Sequence, residues 1–154
     1  MLRQTLNDAL KTATKARDVP ARSTLRLILA ALKDRDIAAR GRGNADGIDD
    51  SEILQMLQTM VKQRRESIAM YEKGDRPELA AKEAEEIDVI ERYLPQQLDP
   101  AEVGDAVDAA IAEIEATSLK DMGGVMALLR ERYAGRMDFS RASGTVKERL
   151  KQAD

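Results

Sequence analysis

The sequence predicts an all-α protein: an N-terminal four-helix domain with a long helical hairpin, plus a C-terminal three-helix domain. Three observations predict it. The chain is rich in Ala, Leu, Glu, Lys and Arg, with one Phe, three Tyr and no Trp, a balance that favours helices over sheets. Apolar residues recur three or four positions apart along most of its length. The stretch Tyr93-Leu94-Pro95-Gln96-Gln97-Leu98-Asp99-Pro100 then ends one helical array and starts another. Pro95 lacks an N–H and clashes with the preceding turn, so no helix continues through it. Asp99, Pro100 and Glu102 form an Asp-x-x-Glu capping box with proline at the first helical position. The expected domains are therefore 1–95 and 98–154.

Leu2, Leu6, Leu10 and Ala13 form one face of a first helix, with Lys11, Lys15 and Arg17 near its end, where cations suit the helix dipole. Asp18-Val19-Pro20 punctuates. A second helix follows from Pro20 to about Ala39, with Leu25, Ile28, Leu29 and Leu32 as its buried stripe. Arg22, Arg26, Lys33 and Arg35 largely avoid that stripe. Arg40-Gly41-Arg42-Gly43-Asn44-Ala45-Asp46-Gly47 reads as a mobile loop, because it has three glycines and no apolar periodicity. Its Asn, Asp and Gly content resembles a calcium loop, but the ligand spacing and closing Glu are absent.

Asp49-Asp50-Ser51-Glu52 reads as a capping box for a long third helix. Ile53, Leu57, Met60, Val61, Arg64, Ile68 and Tyr71 trace that helix to about Lys73, and Gly74 suits a left-handed C-terminal position. A fourth helix opens at Asp75-Arg76-Pro77, with Leu79, Ala80, Glu83, Ile87, Ile90 and Leu94 along one side. The short turn makes the third and fourth helices a hairpin. The acids Glu83, Glu85, Glu86, Asp88 and Glu91 are expected to meet Arg64 and Arg65 across it.

In the second domain, Val103, Val107, Ala110, Ile111 and Ile114 line one helix. Ser118 to Asp121 caps the next, whose buried face is Met122, Val125, Met126, Leu129 and Tyr133. Gly135 stops it. Asp138 starts the last, where Phe139, Ala142, Val146 and Leu150 point inward. Gly144 inside that helix marks a close backbone approach or a weak position.

The chain of 154 residues has no Cys and no His. That removes the thiol nucleophile, the usual general base and nearly every zinc-ligand set, so no metal and no cofactor are expected. No Gly-x-x-x-x-Gly-Lys-Ser/Thr phosphate cradle occurs. The acids are numerous enough for a carboxylate pair, but they lie in helical runs that salt pairing explains. No apolar run reaches the length of a membrane span and the N-terminus lacks a signal-like core, so a cytoplasmic location is expected.

Net charge is −3, unevenly distributed: residues 1–45 carry a balance of +6, residues 46–119 of −12, and residues 120–154 of +3. Basic ends flank an acidic middle, and such ends can meet phosphate.

Lys62-Gln63-Arg64-Arg65-Glu66-Ser67, Gly74-Asp75-Arg76-Pro77-Glu78-Leu79, Tyr93-Leu94-Pro95-Gln96-Gln97-Leu98 and Asp121-Met122-Gly123-Gly124-Val125-Met126 occur in that order. Their order and spacing resemble the GatB/YqeY family over essentially the whole chain. Tyr93, Leu94, Pro95, Asp121, Met122, Gly123, Gly135 and Asp138 carry the motif positions. The chain departs from the family pattern at Gly124, where the family tends to have Lys, and at Ala127, where it tends to have Gly. The family's Gly-Lys-Ala-Asp-Gly turn appears as Gly135-Arg136-Met137-Asp138-Phe139, so Arg136 keeps the charge.

Free-standing members look like the tail domain of the B subunit of Glu-tRNA(Gln)/Asp-tRNA(Asn) amidotransferase. The resemblance implies a helical accessory that contacts the tRNA elbow, with an amidotransferase or another tRNA enzyme as a partner. It also implies that the family label, carbon–nitrogen ligase with glutamine as amido-N-donor, attaches without an active site in this chain. The cations expected to meet RNA phosphate are Lys120, Arg130, Arg132, Arg136, Arg141, Lys147, Arg149 and Lys151, with the Gly135–Asp138 turn bringing loop backbone and a helix N-terminus to the RNA. The alternative is a protein-interaction module that binds no RNA, for which the acidic middle speaks. An enzyme in its own right is the third reading.

Overall fold

The computed structural model describes residues 1–152 and contains, among them, seven α-helices and no strand. They are α1 (Leu2–Lys15), α2 (Val19–Gly41), α3 (Asp50–Lys73), α4 (Pro77–Glu91), α5 (Pro100–Glu113), α6 (Met122–Arg132) and α7 (Phe139–Gln152). A single 3₁₀ turn, Leu119–Asp121, precedes α6. The contacts divide the chain into two compact units, 1–95 and 96–154. The first groups α1 to α4 and the second α5 to α7.

The starts of the helices are written in side chains. The Asp18 carboxylate accepts from the Ala21 N–H at 3.2 Å, and Asp49 from the Glu52 N–H at 2.9 Å. At α5 the box is complete: Asp99 accepts from the Glu102 N–H at 2.8 Å, and Glu102 from the Asp99 N–H at 2.9 Å. Each such cap satisfies donors that the first turn leaves without an intrahelical acceptor.

In the first unit, Leu6 on α1, Leu25 and Ile28 on α2, Ile53, Met56 and Leu57 on α3 and Ile90 on α4 are fully buried together. Burying each such side chain contributes about 1.5–3 kcal/mol. Tyr93 and Leu94 pack half-buried against the same core. Across the hairpin, Arg64 Nε meets Glu86 at 2.8 Å and Arg65 meets Glu91 at 3.0 Å, which fixes how α3 and α4 align. The Arg64–Glu86 pair is largely shielded, whereas the Arg65–Glu91 pair is open to solvent and contributes about 0.2–1 kcal/mol.

Four expectations need correction in this unit. Gly74 is not left-handed, at φ −88°; Asp75 takes that conformation instead, at φ +56°. α4 ends at Glu91 rather than running to Leu94, and the last residues before Pro95 form a looser turn. Leu29 is half-buried, at the margin of the α2 stripe. The loop after α2 is docked at its far end. Ile48 is only 4% exposed, and its N–H donates to Asp36 Oδ1 at 2.9 Å.

Asp36 is the buried centre of that docking. Arg3 Nη2 donates to Asp36 Oδ1 at 2.7 Å and to the Ile48 carbonyl at 2.9 Å, so α1, α2 and the loop share one network. Burial pushes the Asp36 carboxyl up, but the Arg3 bond, the Ile48 N–H and the charges of Arg3 and Arg40 outweigh it and hold its pKa below the ordinary value. Gly47 packs on this carboxylate at φ +82°, and a Cβ there would lie 2.3 Å from Asp36 Oδ1. Neither a side chain nor right-handed backbone fits.

The second unit closes around Val107 on α5, Val125 and Leu129 on α6, and Ala142, Val146 and Leu150 on α7, all fully buried. Met137 joins them at 2% exposure, a core position without periodic signal in the sequence. Ile114 is not buried as expected but 40% exposed just beyond α5. Gly144 has open space where a Cβ would stand, so no backbone approaches it and the weak-position reading applies.

Candidate nucleic-acid interface

The eight cations singled out between 120 and 154 lie in the second unit with unequal electrostatic surroundings. Arg132 is held by Glu113, with Nη2 2.6 Å from its carboxylate, and that partner raises the pKa of the guanidinium. Arg149 Nε donates to Asp108 at 2.9 Å. These two arginines join α6 and α7 to α5, and much of their charge is already compensated. Arg141 stands 4.0 Å from Asp138 but is 91% exposed, so solvent and any passing anion reach it freely. Arg130 lies over the Phe139 ring at 5.9 Å, which positions its charge without neutralising it.

Arg136 does a different job. Its Nε donates to the Gln96 carbonyl at 3.0 Å, its own carbonyl accepts from the Leu98 N–H at 2.8 Å, and its guanidinium stacks over Tyr133. The Gln97 amide donates to the Gly135 carbonyl. Two stretches that are far apart in the chain, Gln96–Leu98 and Gly135–Arg136, are therefore clasped together. Gly135 makes the turn at φ +77°, a conformation that costs glycine little. The role of Gln96 and Gln97 has no signature in periodicity, because it depends on a partner about forty residues away.

The turn at Gly135–Asp138 is thereby occupied. The Asp138 carboxylate accepts from the N–H groups of Ser140 at 2.9 Å and Arg141 at 3.4 Å, where an RNA phosphate was expected to bind. Its negative charge disfavours a phosphate at the start of α7. The start of α6 is similar. Asp121 accepts from the Thr117 and Ser118 N–H groups, which lower its pKa and keep it charged beside Met122 and Gly123. A shallow cleft lined by Leu98, Ala106, Ala109 and Tyr133 carries Glu102 and Asp105, again the wrong sign for phosphate. Met122 packs half-buried on the core and Gly123 is exposed. A side chain at Gly124 would press on Ile114 Cδ1 at 3.2 Å.

Of the eight, Lys120, Arg130, Arg136, Lys147 and Lys151 make no ion pair among the described residues, and of these Arg136 is committed to the Gln96 carbonyl. On α7, Ser140, Gly144, Lys147 and Lys151 recur at helical spacing and all are exposed, opposite the buried Ala142, Val146 and Leu150. Lys147 and Lys151 are one turn apart, about 6 Å at their Cβ atoms. Gly144, one turn earlier, leaves the helix surface low. This lane lets a charged polymer backbone approach closely and meet two ammonium groups.

Among the described residues no group of three or more acids is placed to hold a metal ion, and no helix is long and apolar enough to cross a membrane.

Fold and site together define an all-helical protein of two small bundles, with a cationic lane on its last helix. The chain belongs to the Yqey-like protein family, which matches residues 3–150. It is similar to Altered inheritance of mitochondria protein 41, mitochondrial, of Kluyveromyces lactis, at 29% identity over 142 residues, 92% of this chain and 72% of that protein. The protein of that name in Saccharomyces cerevisiae is 32% identical over 91 residues, 59% of this chain and 47% of its own length. That in Lachancea thermotolerans is 31% identical over 91 residues. The matched stretches span about half the length of the latter two relatives.

Proposed function

We propose that this protein is a tRNA-binding accessory of the tRNA-dependent amidotransferase type, acting without an active site of its own. The observation that carries the reading is the α7 lane, where Lys147 and Lys151 stand exposed and make no ion pair among the described residues. Family membership supports it, since the family resemblance implies contact with the tRNA elbow. Lys120, Arg130 and Arg141 add charge that remains available, whereas Arg132, Arg136 and Arg149 serve the bundle first. The absence of His and Cys from the chain argues against chemistry in this protein alone. The amidation chemistry belongs to a partner, an amidotransferase or another tRNA enzyme.

With few aromatic residues for base stacking, recognition rests on phosphate and shape. Binding of total tRNA at low salt is therefore expected, weakening steeply as salt rises. The Lys147→Gln/Lys151→Gln variant should bind about tenfold more weakly and lower the salt slope by about 2. Absence of binding by the unaltered chain, or binding indifferent to salt, refutes the reading.

A further inference from the structure

A second cationic surface lies on the first unit, along α2. Arg22, Arg26, Lys33 and Arg40 recur at intervals of four, seven and seven residues. At about 100° per residue they fall within about 40° of one line, and the row is about 27 Å long. None of the four makes an ion pair among the described residues. By contrast Arg64, Arg65 and Arg76 on the α3–α4 hairpin are all paired.

The carboxylates of α2 offset the row at one end, where the charge of Arg40 acts on Asp36, and leave the rest of it uncompensated. Asp18 is spent capping the helix and Asp36 is buried against Arg3. Asp34 lies roughly a quarter turn or more away. Arg22 is half-buried, and its Nε is shielded from solvent without an acceptor among the described residues. Its stem is thus held down before any ligand arrives, which lowers the ordering cost of binding. Arg40 is anchored by a bond from its Nε to the Ala45 carbonyl at 3.3 Å.

We propose that the Arg22–Arg26–Lys33–Arg40 row of α2 is a second phosphate-binding surface, carrying RNA contact onto the first unit. It rests on the RNA reading above and adds a site to it. A polyanion fits better than a protein helix. The exposed apolar residues beside the row, Val19, Leu27 and Ile37, are eight and ten positions apart. Singly spaced in this way they form no continuous apolar patch for a partner to bury. Ser23 and Ala30 lie between them and Gly41 just beyond, small exposed residues that let a sugar–phosphate backbone come near.

The test is equilibrium binding of total tRNA to the full chain over a range of salt. Three double variants are compared: Arg26→Gln/Lys33→Gln, Lys147→Gln/Lys151→Gln, and, as a charge-matched control at exposed lysines of α3 and α4, Lys73→Gln/Lys82→Gln. Arg26 and Lys33 are exposed, and an unchanged thermal midpoint verifies that the fold is intact. The α2 pair is expected to bind about tenfold more weakly and to lower the salt slope by about 2, with the control close to the unaltered chain. If the α7 pair loses affinity while the α2 pair keeps affinity and slope, this proposal is overturned and the RNA reading survives. If the unaltered chain binds no tRNA, the RNA reading falls and takes this surface with it. Loss of a nuclease-resistant protein partner by the α2 pair, with RNA binding untouched, also overturns it.

Discussion

Replacing Asp36 by alanine tests the first unit where its helices and loop converge. The carboxylate accepts from Arg3 Nη2 at 2.7 Å, from Arg3 Nε at 3.3 Å and from the Ile48 N–H at 2.9 Å, and the residue is 8% exposed. Its loss strands the Ile48 N–H, which costs about 1–3 kcal/mol when buried. It also removes a charge-assisted pair with Arg3. The Arg3 side chain is 36% exposed, so water recovers part of that loss, and Arg3 keeps its bond to the Ile48 carbonyl.

The expected total is about 2–3 kcal/mol, read as a lower urea midpoint with unchanged slope. Asp36→Asn keeps one acceptor and should lose less. Sign follows from the lowered pKa of Asp36. The unfolded chain protonates this group first as pH falls, so its contribution is present above the ordinary aspartate range, near pH 4, and is lost as pH drops through the lower folded value. The gap between the unaltered chain and Asp36→Asn should therefore be constant from pH 7 to about 5 and close below pH 4. A loss under about 0.5 kcal/mol for Asp36→Ala, typical of an unimportant surface site, refutes the account of how the loop is docked.

Other perturbations follow from the same geometry. Gly47→Ala forces a side chain into Asp36 at φ +82° and is expected to destabilise by more than about 2 kcal/mol in urea unfolding. Asp99→Ala opens the α5 capping box and should cost about 1 kcal/mol, seen as a lower thermal midpoint. Gly144→Ala meets no atom within 4 Å inside a helix and should stabilise by about 0.5–1 kcal/mol by the same measurement. We also propose that the two compact units are autonomous domains: a fragment of residues 1–95 should unfold cooperatively by circular dichroism, and a non-cooperative melt counts against it.

Helix positions, the break at Pro95, the capping box at Asp99 and the pairing of Arg64 and Arg65 with α4 acids are legible in the chain itself. Each depends on residues within a turn of one another, or across a short hairpin, where spacing decides what can meet. The resemblance in Tyr93–Leu98 and Asp121–Met126 is likewise carried by the chain, at two element boundaries, and the family it points to matches residues 3–150. Tertiary structure alone decided which charges remain available. Arg132 and Arg149 look like Lys147 and Lys151 in one dimension, but folding brings Glu113 and Asp108 to the first two, from 19 and 41 residues away. Asp36 reads as one more acid on a charged helix until Arg3 and Ile48 close over it. Helical periodicity states which way a side chain faces. Only packing states what it faces, and for a charge that difference separates a structural tie from a surface open to phosphate.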